Sequence, residues 1–170
     1  MQEDKLLLNT LEQIKNAWEK ALALNYPDKK YWLQTALANI FSLNTGWYLD
    51  KLPEEVPGWE KWLAETALLM KKSYNGLITY MNMTIGNHEI QWITDDWTSH
   101  RELCLLRSQL EFLMETYQDF LSEDEIAGFE LESFDQQLRE LQSGGTIPDA
   151  FVPAGVPETH WWWYPGSLEK

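Results

Sequence analysis

The chain has 170 residues, 44% of them apolar and ten of them Trp. That suits one domain with a sizeable core and argues against wholesale disorder. The net charge of −14 repels phosphate backbones and anionic membrane surfaces, so nucleic-acid and membrane binding are disfavoured and a basic protein partner is favoured.

Glu3 to Leu24 reads as a first helix. Leu7, Leu11, Ile14, Trp18 and Leu22 hold its apolar face, and Glu12, Lys15, Glu19 and Lys20 its wet one. Pro27 ends it, and Asp28 is the expected N-cap of a second helix through Leu33, Leu37 and Ile40. Gly46 is expected to close that helix in the left-handed conformation. After a connector containing Pro53, Pro57 is expected to open a third helix carrying Trp59, Trp62, Leu63, Thr66, Leu69 and Met70. Asn75-Gly76 is its expected stop.

Residues 77–94 fit either a short helix or a hairpin about Gly86-Asn87, and the helix is the preferred reading. Thr98 to Leu121 is predicted as the central helix. Leu103, Leu106, Leu110, Leu113, Tyr117 and Leu121 share one face, and Leu105, Phe112 and Phe120 widen it, so several neighbours are expected. Ser99-His100-Arg101-Glu102 reads as its capping box. Ser122-Glu123-Asp124-Glu125 and Ser133-Phe134-Asp135-Gln136 read as two more, each opening a short helix.

The predicted fold is therefore all-α: an up-and-down bundle of four to six helices over residues 1–145. Residues 146–170 are predicted to form an extended, Pro- and Trp-rich tail packed on it, one domain overall. Pro148, Pro153, Pro157 and Pro165 punctuate that tail, and Trp161-Trp162-Trp163-Tyr164 stand at its middle. In an extended chain Trp161 and Trp163 would point one way, and Trp162 and Tyr164 the other. The tail is expected to strap the bundle with one set, leaving the other as an aromatic contact surface. Ser143-Gly144-Gly145 would serve as a hinge, and a homodimer with exchanged tails is compatible with it.

Charge is unevenly spread. Residues 86–170 carry four Lys and Arg against seventeen Asp and Glu, and within 111–140 Arg139 is the lone base among ten acids. Such a run is ordinarily a solvated face. It could also dock a basic protein, with Glu111, Glu115, Asp119, Glu123, Asp124 and Glu125 as contacts and the Trp161–Tyr164 aromatics as anchors. An inhibitor or immunity-type protein that caps a basic toxin would need such a surface.

Catalytic signals are sparse. His88, His100 and His160 are read as having no His or Cys partner at i, i+4, so no helical metal-ligand pair is expected, and H-E-x-x-H, Walker and G-x-S-x-G patterns are absent. No metal or other cofactor is expected. The alternative is an enzyme or a small-ligand or metal binder with a pocket between helices and tail, using His88, His100 and His160 as polar groups. Cys104 reads as an inert buried thiol and, as the single Cys, excludes an intramolecular disulfide. No apolar run approaches the roughly 20 residues of a membrane span. The opening residues lack the basic region of a signal peptide, so a cytoplasmic protein is expected and the Asn82-Met83-Thr84 sequon carries no weight.

Overall fold

Helix α1 (Gln2–Ala23) buries Leu7, Leu11, Ile14 and Trp18, the apolar stripe its spacing predicts, and adds Ala17 and Ala21. A short turn returns the chain along α1 as α2 (Asp28–Thr45), which buries Leu33, Ala36, Leu37, Ile40 and Leu43. Helix α3 (Trp59–Lys72) packs on α1, where Trp62 Nε1 donates to the Leu11 carbonyl at 3.1 Å. Helix α4 (Tyr74–Gln91) packs mainly on α2 and α5 (Trp97–Thr116). The five-residue α6 (Glu123–Ala127) and then α7 (Leu131–Gln142) follow, with α7 packed on α5. The computed structural model describes residues 2–46, 56–91, 97–142 and 147–164. Among these it is all-helical, with six helices of 12 to 22 residues, the single-turn α6, and no strand.

Helix α5 packs on α2, α4 and α7. Leu103, Leu106, Leu110, Phe112 and Leu113 are buried, as are Tyr117 and Leu121 in the turns that follow. Burial on more than one side is what its wide apolar stripe predicts. Residues 74–91 are helix throughout, which removes the hairpin. Leu77, Tyr80, Met81, Ile85 and His88 are its buried positions, at helical spacing.

Helix boundaries differ from the sequence reading in several places. Pro27 takes the cap position of α2, so Asp28 is already helical, and Gly46 leaves α2 extended, at φ −77°. Pro57 lies in a turn; Gly58, at φ +78°, caps α3, a conformation that glycine adopts without a Cβ penalty. Asn75-Gly76 does not stop a helix but lies in the first turn of α4, separated from α3 by Ser73 alone. Gly76 faces Lys29 and Leu33 of α2, with room for an ordinary β-carbon contact. Ser99 and Ser133 fall inside α5 and α7, which begin two residues earlier, at Trp97 and Leu131. For α7 the cause is Glu130, whose positive φ of 49° turns the chain so that its carbonyl accepts from Phe134 N. The Ser122 box is present in full: Ser122 Oγ accepts from Glu125 N, and the Glu125 carboxylate accepts from Ser122 N.

The tail lies on the bundle but is not extended throughout. Asp149–Phe151 and Trp161–Trp163 form tight 3-10 turns. Trp162 and Trp163 therefore do not alternate; both are buried, while Trp161 and Tyr164 are half-buried. Arg101 Nε donates to the Phe151 carbonyl at 3.0 Å, and Ile147 and Val156 are buried with the core. The hinge at residues 143–145, most of the connector with Pro53, and the chain beyond Tyr164 lie outside the described residues.

Candidate functional site

Five chemically capable residues of α5 lie on one side of the helix: His100, Cys104, the adjacent pair Arg107 and Ser108, and Glu111, each three or four positions from another of the set. Together they make a polar ridge on a buried helix, and the tail closes over it. Ser108 is the junction. Its hydroxyl accepts from Trp162 Nε1 at 2.9 Å and from Trp163 Nε1 at 2.8 Å, and it meets His160 Nδ1 at 2.9 Å. A hydroxyl has one proton and two lone pairs, and an indole N–H can only donate. The two indoles fill both lone pairs, so the hydroxyl proton goes to His160 Nδ1. The neutral His160 ring then carries its own proton on Nε2, which is buried without a hydrogen-bond partner.

The surroundings hold His160 in that neutral form. Its ring lies 4.8 Å from the ring of Phe112 and 4.8 Å from that of Trp162. Burial pushes its pKa down to about 4, with Glu111 opposing the shift and Arg107 adding to it. A Ser–His pair at 2.9 Å has the makings of a nucleophile and base. Here the serine is fully buried and every bonding position on its oxygen is taken.

Arg107 is the second junction. Nε and Nη2 reach the two carboxylate oxygens of Asp135 on α7 at 2.6 and 3.3 Å, and Nη1 reaches Glu111 at 2.6 Å. The guanidinium also sits 4.4 Å over the Trp162 ring. Burial works against its charge, and the hydrogen bonds to Asp135 and Glu111 more than offset that. One arginine thus ties α5, α7 and the tail together.

The three histidines are strung along α5 and do not meet at one point. His88 of α4 bonds Glu102 at 2.9 Å, His100 Nε2 lies 3.5 Å from Cys104 Sγ, and His160 sits on Ser108. His100 and Cys104 do stand four apart, which corrects the reading that no histidine has a His or Cys at that spacing. Burial raises the Cys104 thiol well above its usual range and lowers the His100 ring, so neither takes its charged form readily. Among the described residues no three His, Cys, Asp or Glu are grouped as a metal site. Ser108, Arg107 and Asp135 are absent from the site residues expected from sequence, where Asp135 enters only within a capping-box reading. Their signal is the polar i, i+4, i+8 series at His100, Cys104 and Ser108 within an apolar helix.

The acidic residues divide into two sets. Glu111 and Asp135 are spent on Arg107. Glu125 is held below the usual carboxylate range by the Ser122 amide and hydroxyl and by Lys71, which lies 3.4 Å away. Glu115, Asp119, Glu123 and Asp124 are exposed, as are Glu130 and Glu132. Glu115 is raised by partial burial and by Glu111 beside it. Trp161 lies 4.8 Å beneath the guanidinium of Arg139, the one base of this segment on the surface.

Comparison with family models, with curated proteins and with solved structures returns no match to this chain. No helix of the described residues is long and apolar enough to cross a membrane.

Proposed function

We propose that this is a non-catalytic interaction protein that binds a basic protein partner, as an inhibitor or immunity-type protein does. One observation carries the reading. Arg107 is turned inward and consumed by Glu111 and Asp135, while Glu115, Asp119, Glu123 and Asp124 stand at the surface. Glu111 and Asp135 thus drop out of the outward charge of residues 111–140, which stays one-sided because eight of the ten acids remain against one base, Arg139. Complementary charge of that kind steers encounter and sets specificity. Of the tail aromatics, Trp161 and Tyr164 keep accessible surface for a partner, since Trp162 and Trp163 are committed to Ser108. A non-catalytic reading also suits a ridge whose serine, thiol and imidazole groups are sealed from solvent.

The test is capture from the native cell lysate on the full chain, beside a variant carrying Glu115→Gln, Asp119→Asn, Glu123→Gln and Asp124→Asn. A basic protein held by the wild type alone, and released as salt shortens screening below about 8 Å, is the expected result. Equal capture by the variant, or binding indifferent to salt, overturns the proposal.

A further inference from the structure

We propose that residues 147–164 form an acid-released latch, in which protonation of His160 breaks the Ser108 junction and lifts the Trp161–Trp163 turn from α5. The geometry at Ser108 is the reason. The hydroxyl holds both indoles through its lone pairs and His160 through its proton, so it has nothing left to offer a second donor. A protonated imidazole carries a proton on each nitrogen. Its Nδ1–H would face an oxygen whose lone pairs are taken, and its Nε2–H is already buried without a partner. One indole or the histidine must leave, and His160, Trp162 and Trp163 share the short stretch of chain that would go with it. The junction is thus stable with a neutral ring and broken by a charged one.

The charged groups around the ring do not rescue it. Arg107 of α5 adds repulsion. Glu111 of α5 attracts, yet it is already bonded to Arg107, as is Asp135 of α7. Further along the ridge, Cys104 bonds the Trp162 carbonyl at 3.4 Å and lies against His100, a second buried ring that resists protonation. Within the tail, Glu158 is exposed. At the Trp161–Trp163 turn the other contacts are short-range: the Trp162 stack on His160, Arg107 over Trp162, Cys104 on the Trp162 carbonyl, Arg139 over Trp161, and the Val156 carbonyl bonded by Tyr164 at 3.3 Å; Arg101 on the Phe151 carbonyl and buried Ile147 and Val156 hold the earlier part of the tail. Most of the contacts on His160 and Trp162 involve the junction itself, so its failure loosens the turn while residues 147–156 and the packed pair α1 and α2 stay in place.

The size of the effect follows from linkage. The latched ring takes its proton near pH 4 and a released ring near 6.5. Between those values opening should grow roughly tenfold per pH unit, or about thirtyfold from pH 7.5 to pH 5. Hydrogen exchange on the full chain reads this directly, once corrected for intrinsic rates. The amides to follow are His160, Trp163 and Tyr164, whose bonds close the turn, against those of α1 and α2.

The expected result is about a thirtyfold rise in opening at the tail with α1 and α2 unchanged. His160→Gln, which keeps an acceptor for Ser108 but cannot titrate, should abolish the rise. His100→Gln should keep it. A flat tail, equal rises in tail and helices, or an undiminished rise in His160→Gln each overturn the proposal. Should that variant fail to fold, the wild-type His160 ring resonance decides instead. Its titration must coincide with the rise in tail exchange, and a ring that titrates outside that transition overturns the latch.

Discussion

Gly155 stands so close to the end of α2 that a β-carbon on it would overlap the carbonyl oxygen of Thr45. Its φ of +79° lies in the left-handed region that side chains resist. The position therefore demands glycine twice, once for backbone conformation and once for space, because the obstacle is backbone and cannot rotate away. Gly155→Ala should destabilise the protein by roughly 1–3 kcal/mol. Urea unfolding measures it, and a loss under about 0.5 kcal/mol, the scale of an ordinary surface change, would show that the tail is not pinned there.

Ser108→Ala removes one hydroxyl and strands three buried groups: the indole N–H of Trp162, that of Trp163, and Nδ1 of His160. Each buried polar group left unpaired costs on the order of 1–3 kcal/mol. Water cannot easily enter a site lined by Phe112 and the two indoles, so the expected loss is roughly 3 kcal/mol or more. Ser122→Ala is the comparison. It removes a solvent-exposed cap and should cost about 1 kcal/mol. Similar losses from the two serines in denaturant unfolding would refute the hub described at Ser108.

The contrast between these serines shows what a sequence makes legible. Ser122 acts on residues three positions away, so its capping box is written in four consecutive letters and is found where expected. Ser108 acts on residues 52 to 55 positions away, and no local pattern announces that. The helices themselves are legible because apolar spacing is local: α1, α2, α4 and α5 bury the faces their periodicity marks. Their ends are less so. Ser99 and Ser133 have the letters of a capping box, but backbone geometry such as the positive φ at Glu130 sets the start of α7. Proline content places the tail outside the long helices, yet does not reveal two 3-10 turns, which bury Trp162 and Trp163 together. The acidic run is legible as charge. That Glu111 and Asp135 neutralise Arg107, and so drop out of the surface set, depends on the packing of α7 on α5.

Arg107 spans two carboxylates with two hydrogen bonds of 2.6 Å and a third of 3.3 Å and is almost wholly buried. Arg107→Ala should cost about 3–5 kcal/mol, since Asp135 and Glu111 are left near each other without their counter-charge. Arg107→Lys is expected to recover only part of that loss. A lysine keeps the charge but lacks the planar fork that bonds both oxygens of Asp135 while reaching Glu111. A lysine variant as stable as wild type in urea unfolding would mean that charge alone, and not the bidentate geometry, holds α5 to α7.

Tyr117 supplies a pH dependence at the alkaline end. Its phenol is buried and accepts from Trp18 Nε1 at 3.4 Å. Burial pushes its pKa up to about 12, with bonds from Thr66 and Trp18 working the other way, against an ordinary value of 10. The raised pKa means that the fold favours the neutral phenol. Its contribution is complete below pH 10 and is lost as pH climbs through 10 toward 12, about 3 kcal/mol in all. Tyr26, Tyr74 and Tyr80 are shifted the same way, so wild-type stability should fall across this window by more than one residue explains. Tyr117→Phe separates the terms. It should lower stability at neutral pH by about 1 kcal/mol through the lost bond to Trp18, yet flatten the alkaline fall. Urea unfolding at intervals between pH 9 and 12, read beside tyrosinate absorbance, measures both. An alkaline slope unchanged in Tyr117→Phe would assign the loss to Tyr26, Tyr74 and Tyr80 instead.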